Sequence, residues 1–388
     1  MAESGSARHV LVYEPRVEGH HLGYLKAITE DLLGAGFRLT LAIDMRPEPF
    51  ALIQAAMPAL LPRVNTVSAA GASGKTARIA ELLTQANADM AFLPNLDEVA
   101  SGMFRRAAFG LMPPATLRGR IGGIYHRPRV LADAGWSPNQ WLKAAGLRRL
   151  LRGGWFDRIL LLDPFLLATF KASAPSAPAY PLPDFFPENF TADCSAARAQ
   201  FGVPEGRRVF LFYGGGYRRK GLDLAVEAMN ALPAGVPAFL FCAGRQPDDP
   251  AIAEGLARLV AQGRARVINR YVTDDEEKQA FAASDAVLSP YRGHFGISGV
   301  LMRAIGARLP AIASDEGLLG RLVGERKLGL LFPPGDAGAL GNAIADMARA
   351  PEDDMVRRRA GVRAEAPNWT RAAFRKALLA GFGGTNRT

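Results

Sequence analysis

An apolar run, Val209-Phe210-Leu211-Phe212-Tyr213, leads straight into Gly214, Gly215 and Gly216 and then into Arg218, Arg219 and Lys220. Glycines let main-chain amides approach an anion, Arg219 offers a fork of donors for two phosphate oxygens, and Lys220 adds a point charge without a metal. That order suits a diphosphate. A glycine turn with solvated charges is the plain alternative. Position argues against it, because in an open parallel sheet the ligand crevice lies beyond the carboxyl ends of the strands, where this cluster falls. A second segment, Tyr291 to Val300, holds His294 and Gly296, also follows an apolar strand and opens a helix. Amides of Ser298, Gly299 and Val300 at that helix start would favour a negative group, although Gly/Ser-rich helix starts are common.

In the first half, Gly19-His20-His21 ends one strand and Tyr125-His126-Arg127 ends another. A histidine at such a strand end, facing a cleft between two domains, can serve near pH 7 as base or hydrogen-bond donor. A satisfied packing imidazole is the plain alternative. Asp97 and Glu98 form a carboxylate pair at a third strand end, a position where such residues usually cap a helix. Two other segments resemble functional motifs less well. Gly71 to Thr76 looks like a phosphate loop, but the motif needs a further glycine where Ala69 stands, so a Gly/Ser turn with Ser or Thr capping the next helix is expected. Trp141 to Trp155 carries leucines on one stripe with Lys143, Arg148, Arg149 and Arg152 around it. That is the pattern of an interfacial basic helix, while within an α/β domain such leucines usually pack on the sheet.

These segments need elements to hold them. Strands are expected at residues 9–13, 39–43, 90–94, 122–125 and 158–162, with helices at about 23–33 and 76–85 between them. The stretch from Lys171 to Pro187 holds five prolines, a density that no helix or central strand tolerates, and is the expected linker. Alternation then restarts, with strands at 209–213, 238–242, 265–268, 286–289 and 311–313 and helices at 223–231, 250–262, 275–282, 299–307, 337–348 and 371–380. The expectation is α/β: two Rossmann-like parallel-sheet domains, residues 1–180 and 191–365, with a linker at 181–190 and a closing helix over 366–388 that crosses back to the first.

Composition sets the bounds. The 388 residues are 49% hydrophobic and 22% charged, so a folded chain of two domains is expected rather than a disordered or fibrous one. The net charge of +10 favours anionic partners. Two cysteines build neither a disulfide framework nor a thiolate zinc site, and the five histidines lack metalloprotease spacing. No Asp-x-Asp pair exists to hold a catalytic divalent ion beside a diphosphate, so no metal and no cofactor are expected. Residues 1–8 lack the apolar core of a secretory signal, and no run reaches the ~18 residues of a span. The expected location is therefore cytoplasmic, with peripheral contact at the inner membrane face left open by the basic helix. Arginines spread through the chain without aromatic interleaving argue against nucleic acid.

The second half resembles the donor domain of GT-B glycosyltransferases of family 4, the glycosyl transferases group 1, over most of residues 205–345. The likeness rests on ordered pieces: Tyr217-Arg218-Arg219-Lys220-Gly221-Leu222-Asp223, Phe241-Cys242-Ala243-Gly244, Arg270-Tyr271-Val272 before an acidic helix, Phe295-Gly296, Leu309-Pro310 running to Ser314, Gly317 to Val323, and Leu328 to Asp336. The resemblance implies that Arg219 and Lys220 neutralise the donor diphosphate and that Gly244 and Val272 line the nucleotide. It also implies that Ser298, Gly299 and Val300 touch diphosphate and sugar, and that His126 faces the transferred sugar. Retention of anomeric configuration is a further implication. With Gly215, Gly216, His294 and Gly296 these form the expected donor-binding set; His126 and His21 are the catalytic candidates, and Gly19, His20 and Arg127 the acceptor-binding ones.

One departure stands out. Family members usually carry two glutamates separated by seven residues, yet no acid lies between Tyr291 and Pro310. Registration on Pro310 puts Phe295 and Arg303 at those positions, and registration on Phe295-Gly296 puts Gly293 and Leu301 there. The string Ser298-Gly299-Val300-Leu301-Met302-Arg303-Ala304 is similar to that of a subgroup lacking the pair. The expectation is a metal-independent enzyme moving a sugar from a nucleotide-diphosphate donor to the hydroxyl of a glycan, lipid-linked or small-molecule acceptor. A degenerate binding or partner subunit is the alternative, and an epimerase a third.

Overall fold

The computed structural model describes residues 7–131, 137–187, 190 and 193–383. Residues 188 and 189 of the expected linker and 384–388 of the expected closing helix lie outside these. The chain forms two compact units, one running to Pro183 and resuming at Phe374, the other Asp184–Ala373.

The first unit carries β1 (His9–Glu14), α1 (His21–Gly34), β2 (Arg38–Ile43), α2 (Pro47–Ala56), β3 (Asn65–Ser68), α3 (Lys75–Gln85), β4 (Met90–Leu93), α4 (Asp97–Ala108), β5 (Ile121–Tyr125), α5 (Pro138–Arg152), β6 (Phe156–Leu161), α6 (Leu166–Ser173) and β7 (Ala179–Pro181). Its seven parallel strands lie in the order β3-β2-β1-β4-β5-β6-β7. Central strands such as β1 and β4 are buried on both faces, which is why they read as continuous apolar runs. The proline-rich stretch 171–187 is not linker throughout, because α6 ends within it and β7 pairs with β6 along it, while the break between the units at Pro183 and Asp184 falls inside the expected 181–190. An edge strand bonds on one side only, so Pro178 and Pro181 are tolerated there: the Pro178 carbonyl accepts from Ile159 N at 2.7 Å. The leucines of α5 point inward, Leu147 and Leu150 lying in the core.

The second unit carries α7 (Cys194–Phe201), β8 (Arg208–Tyr213), α8 (Leu222–Ala231), β9 (Ala238–Ala243), α9 (Pro250–Ala261), β10 (Ala265–Ile268), α10 (Asp274–Ala282), β11 (Ala286–Ser289), α11 (Gly299–Gly306), β12 (Ala311–Ser314), α12 (Gly317–Glu325), β13 (Gly329–Phe332), α13 (Ala337–Arg349) and α14 (Glu352–Glu365). Six parallel strands run β10-β9-β8-β11-β12-β13. The last helix, α15 (Arg371–Gly383), begins in the second unit and ends in the first. In each sheet the chain reverses its winding once, beside β1 and β4 in the first and beside β8 and β11 in the second. Loops leaving such neighbouring strands part to opposite faces and open a crevice. No helix among the described residues is long and apolar enough to cross a membrane.

Candidate active site

The second-unit crevice is framed by the loop after β8 and the loop after β11, and the two are stitched together. Arg292 N donates to the Arg219 carbonyl at 2.9 Å, and the Arg292 guanidinium reaches Asp223 at 2.8 Å and the Arg218 carbonyl at 3.0 Å. Gly221 takes φ +74°, and a Cβ there would stand 1.9 Å from the Pro290 carbonyl oxygen. Only glycine allows that approach.

Lys220 folds back over the start of its own loop, its Nζ 2.6 Å from where Gly214 would carry a Cβ. The ammonium pairs with no carboxylate among the described residues. Burial, with Arg219 and Arg303 adding repulsion, pushes its pKa down to about 8. A half-buried cation facing two others is a place where a bound anion would be stabilised. Arg219 is exposed, and its Nη1 donates to His294 Nδ1 at 3.0 Å. The imidazole therefore carries its proton on Nε2, which donates to the Ile297 carbonyl at 3.2 Å. His294 thus fixes the arginine's direction.

The remaining donor-set residues divide by role. Gly215 lies against the Tyr217 ring, and Gly216 is buried, its amide bonded to the Arg245 carbonyl at 2.9 Å. Gly244, at φ +134°, presses its backbone onto Gly214, and Val272 packs on the core at the exit of β10. Gly296 is buried. The Ser298 hydroxyl is turned inward, accepting from Leu301 N at 3.2 Å, and the Val300 side chain belongs to the core. From this turn, then, only first-turn amides such as those of Gly299 and Val300 are offered to an anion.

Carboxylates missing from the loop after β11 arrive from elsewhere, which spacing did not reveal. Glu316, the residue before α12, accepts from Gly293 N at 2.8 Å. Glu277 on α10 takes Arg303 Nε at 2.9 Å and the Tyr213 hydroxyl. A cavity of about 560 Å³ at the exits of β9 and β10 is lined by Arg245, Gln246, Asn269, Arg270 and Tyr271. Gln246 donates to the Gly244 carbonyl at 2.7 Å but leaves its own Oε1 buried without a partner, and Tyr271 is 76% exposed. In the sequence Tyr271 carries a signal only as part of the Arg270-Tyr271-Val272 motif, and Gln246 carries none.

In the first unit, Gly19 turns the chain at φ +62° after β1, and His20 and His21 open α1. His20 stacks on His21 at 4.6 Å and lies 5.2 Å from the His126 ring, which Tyr24 meets edge-on at 5.1 Å. His21 Nδ1 stands 3.1 Å from Oε1 of the buried Glu14, a residue that carries no motif signal. His126 Nε2 donates to the Pro94 carbonyl at 2.8 Å, and burial pushes its pKa down to about 3. The expectation of a base near neutral pH is corrected for His126: it is an uncharged imidazole with Nδ1 left as an acceptor. Asp97 does not cap its own helix. Its carboxylate accepts from His126 N at 2.8 Å and Arg127 N at 3.1 Å and so shapes the turn after β5, while the Arg127 side chain stays exposed. Glu98 pairs with Lys75 at 2.7 Å. The expected Ser or Thr cap of α3 is also corrected, since Gly74 occupies the cap position without a side-chain bond. The histidine set and the donor set thus belong to different units. Among the described residues no group of three or more His, Cys, Asp or Glu side chains is arranged to hold a metal.

Residues 207–350 match the family Glycosyl transferases group 1. D-inositol 3-phosphate glycosyltransferase of Mycobacteroides abscessus is 30% identical over 174 residues, 44% of this chain and 37% of that protein, so the chain matches little more than a third of this curated relative's length. Among solved structures, Anabaena HepE in complex with UDP shares the fold at TM-score 0.71 and 15% identity over 97% of this chain and 99% of that one. Sucrose-phosphate synthase of Thermosynechococcus elongatus does so at TM-score 0.66 and 18% identity, over 97% and 98%.

Proposed function

From a chain whose residues 207–350 form a Glycosyl transferases group 1 domain and whose two parallel-sheet units have the GT-B fold, we propose a glycosyltransferase that takes a sugar from a nucleoside diphosphate held by the second unit and passes it to a hydroxyl of an acceptor bound by the first. The observation that carries this reading is Lys220, a desolvated ammonium folded over Gly214 beside Arg219 with no carboxylate partner.

The chemistry follows from charge. As the bond from the anomeric carbon to the diphosphate oxygen breaks, the electron pair leaves with the diphosphate. Lys220, Arg219 and the amides that open α11 bind that growing charge more tightly than they bind the ground state. The acceptor oxygen bonds to the anomeric carbon. His126 is not built to take the hydroxyl proton, and in a reaction with retention, which the family resemblance implies, the proton passes to the departing phosphate oxygen. His126 and His21 orient sugar or acceptor, with His20, Gly19 and Arg127 lining the acceptor side. The cavity with Gln246 and Tyr271 suits the nucleoside, whose hydroxyls or base would satisfy Gln246 Oε1. The reading assigns countercharge to Lys220 and Arg219 rather than to a metal, so activity should survive a chelator.

A second reading, binding without turnover, is favoured by the lack of any acid between Tyr291 and Pro310. Incubation with a panel of nucleotide sugars separates the two, since hydrolysis or transfer supports the enzyme and binding alone supports the alternative. Lys220→Ala should lower turnover on the order of 10²-fold or more. Nucleoside diphosphate at 100 times its Kd should stabilise the unmodified protein by ~2.7 kcal/mol. Equal stabilisation of Lys220→Ala would end the phosphate-site assignment.

A further inference from the structure

Arginines occur along the whole chain, but their excess over acids falls in one stretch. Between Val99 and Phe156 there are ten lysines and arginines against one acid, Asp133, so this stretch carries nine of the net ten charges. It folds into α4, β5 and α5 of the first unit, where α4 and α5 pack so closely that a Cβ on Gly146 would stand 1.7 Å from the Phe104 carbonyl oxygen. The outward face of α5 is a stripe at helical spacing, Trp141, Ala145, Arg148 and Arg152, with Arg149 beside it. Trp141 and Arg152 are three turns, about 16 Å, apart. The Arg149 guanidinium lies over Gly110, 3.6 Å from where that glycine would carry a Cβ. This contact joins the stripe to the exit of α4, where Arg105, Arg106, Phe109 and Leu111 are exposed.

Two properties mark this surface. Among the described residues no carboxylate pairs with Arg105, Arg106, Arg148, Arg149 or Arg152, so five unpaired guanidinium groups lie on neighbouring segments, while Arg198, Arg208, Arg270 and Arg359 of the second unit each have a carboxylate partner. Trp141, Phe109 and Leu111 are 56%, 73% and 54% exposed, Trp141 on the α5 stripe and Phe109 and Leu111 on the chain leaving α4, which Arg149 touches at Gly110. Water solvates arginines well but gains nothing from three large apolar side chains.

We propose that the α4–α5 surface of the first unit docks on an anionic lipid bilayer, the five arginines meeting headgroup phosphates while Trp141, Phe109 and Leu111 enter the interfacial layer. Cations flanking exposed aromatic and aliphatic side chains match the charge and polarity profile of that interface. A nucleic acid would use the arginines and leave Phe109 and Leu111 wet. The docking stands apart from the glycosyltransferase reading, because it is measured as binding without substrate.

Vesicle co-sedimentation with the full chain tests it, comparing phosphatidylcholine alone with phosphatidylcholine carrying roughly a third phosphatidylglycerol. Binding is expected to the anionic vesicles only, weakening with salt. Arg148→Gln/Arg149→Gln/Arg152→Gln should lower vesicle affinity roughly a hundredfold, on the order of fivefold per arginine. Trp141→Ser/Phe109→Ser/Leu111→Ser should also lose most vesicle binding, with an unchanged melting temperature showing that the fold is kept. A blue-shifted emission on adding vesicles, absent from Trp141→Phe, would place the indole in the interface. No binding to anionic vesicles at low salt overturns the proposal. So does undiminished vesicle binding by the apolar triple variant together with equal affinity for duplex DNA, which would make this a general polyanion surface.

Discussion

Lys220 is where a single side chain states what the second unit lacks. Burial and two neighbouring guanidinium groups hold its pKa near 8, so with no anion beside it the ammonium begins to lose its proton just above neutrality. The sign is fixed by what binds: a diphosphate needs the charged form and raises that pKa on binding, so affinity should be level below about pH 7 and fall above pH 8, by up to about tenfold per pH unit. Lys220→Arg should remove the decline, because a guanidinium stays protonated across this range. Isothermal titration with a nucleoside diphosphate from pH 6.5 to 9.5 checks both; a decline of the same size in Lys220→Arg would assign it elsewhere. His126 makes the contrasting point. Its type and place at a strand end were legible in the sequence, but its chemistry was not, because the Pro94 carbonyl and the burial that leave it uncharged come from another strand.

At the scale of elements, the sites are turns between strands and helices, and what they tolerate is set by backbone approach. Gly221 combines φ +74° with an approach to the Pro290 carbonyl that leaves no room for a methyl group. Gly221→Ala should therefore push the loop after β8 off the loop after β11, moving Arg219 and Lys220 together. We expect at least about tenfold weaker diphosphate binding and a loss of roughly 1–3 kcal/mol in stability, read by titration and denaturant unfolding. Gly235→Ala, on an open turn of the same unit with nothing within 4 Å, is the control. The glycine-and-cation loops were legible because their signals are local: an apolar run, a turn, a helix start. The strands that escaped are edge strands. β3 has no apolar run, β7 sits among prolines, and β13 is only partly buried. Paired on one side only, such strands need neither the pattern nor the donors of a central strand. Glu277 and Glu316 escaped for a different reason, since their partners Arg303 and Gly293 lie more than twenty residues away and only the sheet's winding brings them together.

For the molecule as a whole, the first unit is not closed by its own contiguous chain. Phe374 meets Tyr24 edge-on at 5.8 Å, and Phe382 packs against Phe37 and Phe92 at 5.4 and 5.1 Å. Beneath them lies Arg158, 1% exposed, held by Asp157, donating to the Gly381 carbonyl at 2.7 Å and lying 4.2 Å from the Phe382 ring centre. A cation buried this deeply is tolerable only while those partners stay in place. Burial of Phe374, Leu378 and Phe382 at ~1.5–3 kcal/mol each contributes on the order of 5–9 kcal/mol, as much as the net stability of a typical domain. A fragment covering residues 7–183 should therefore be largely unfolded or aggregated. A peptide of residues 371–383 added in trans should restore its near-ultraviolet circular dichroism, and the same peptide carrying Phe374→Ser and Phe382→Ser should not. The second unit makes the opposite case, its ends tied by Phe186 N donating to the Trp369 carbonyl at 3.2 Å and its glycine-and-cation loops entirely its own. Residues 184–373 alone should fold cooperatively and bind nucleoside diphosphate within about tenfold of the full chain, which corresponds to less than about 1.4 kcal/mol. Failure of that fragment to bind while folded would mean that the first unit supplies part of the diphosphate site.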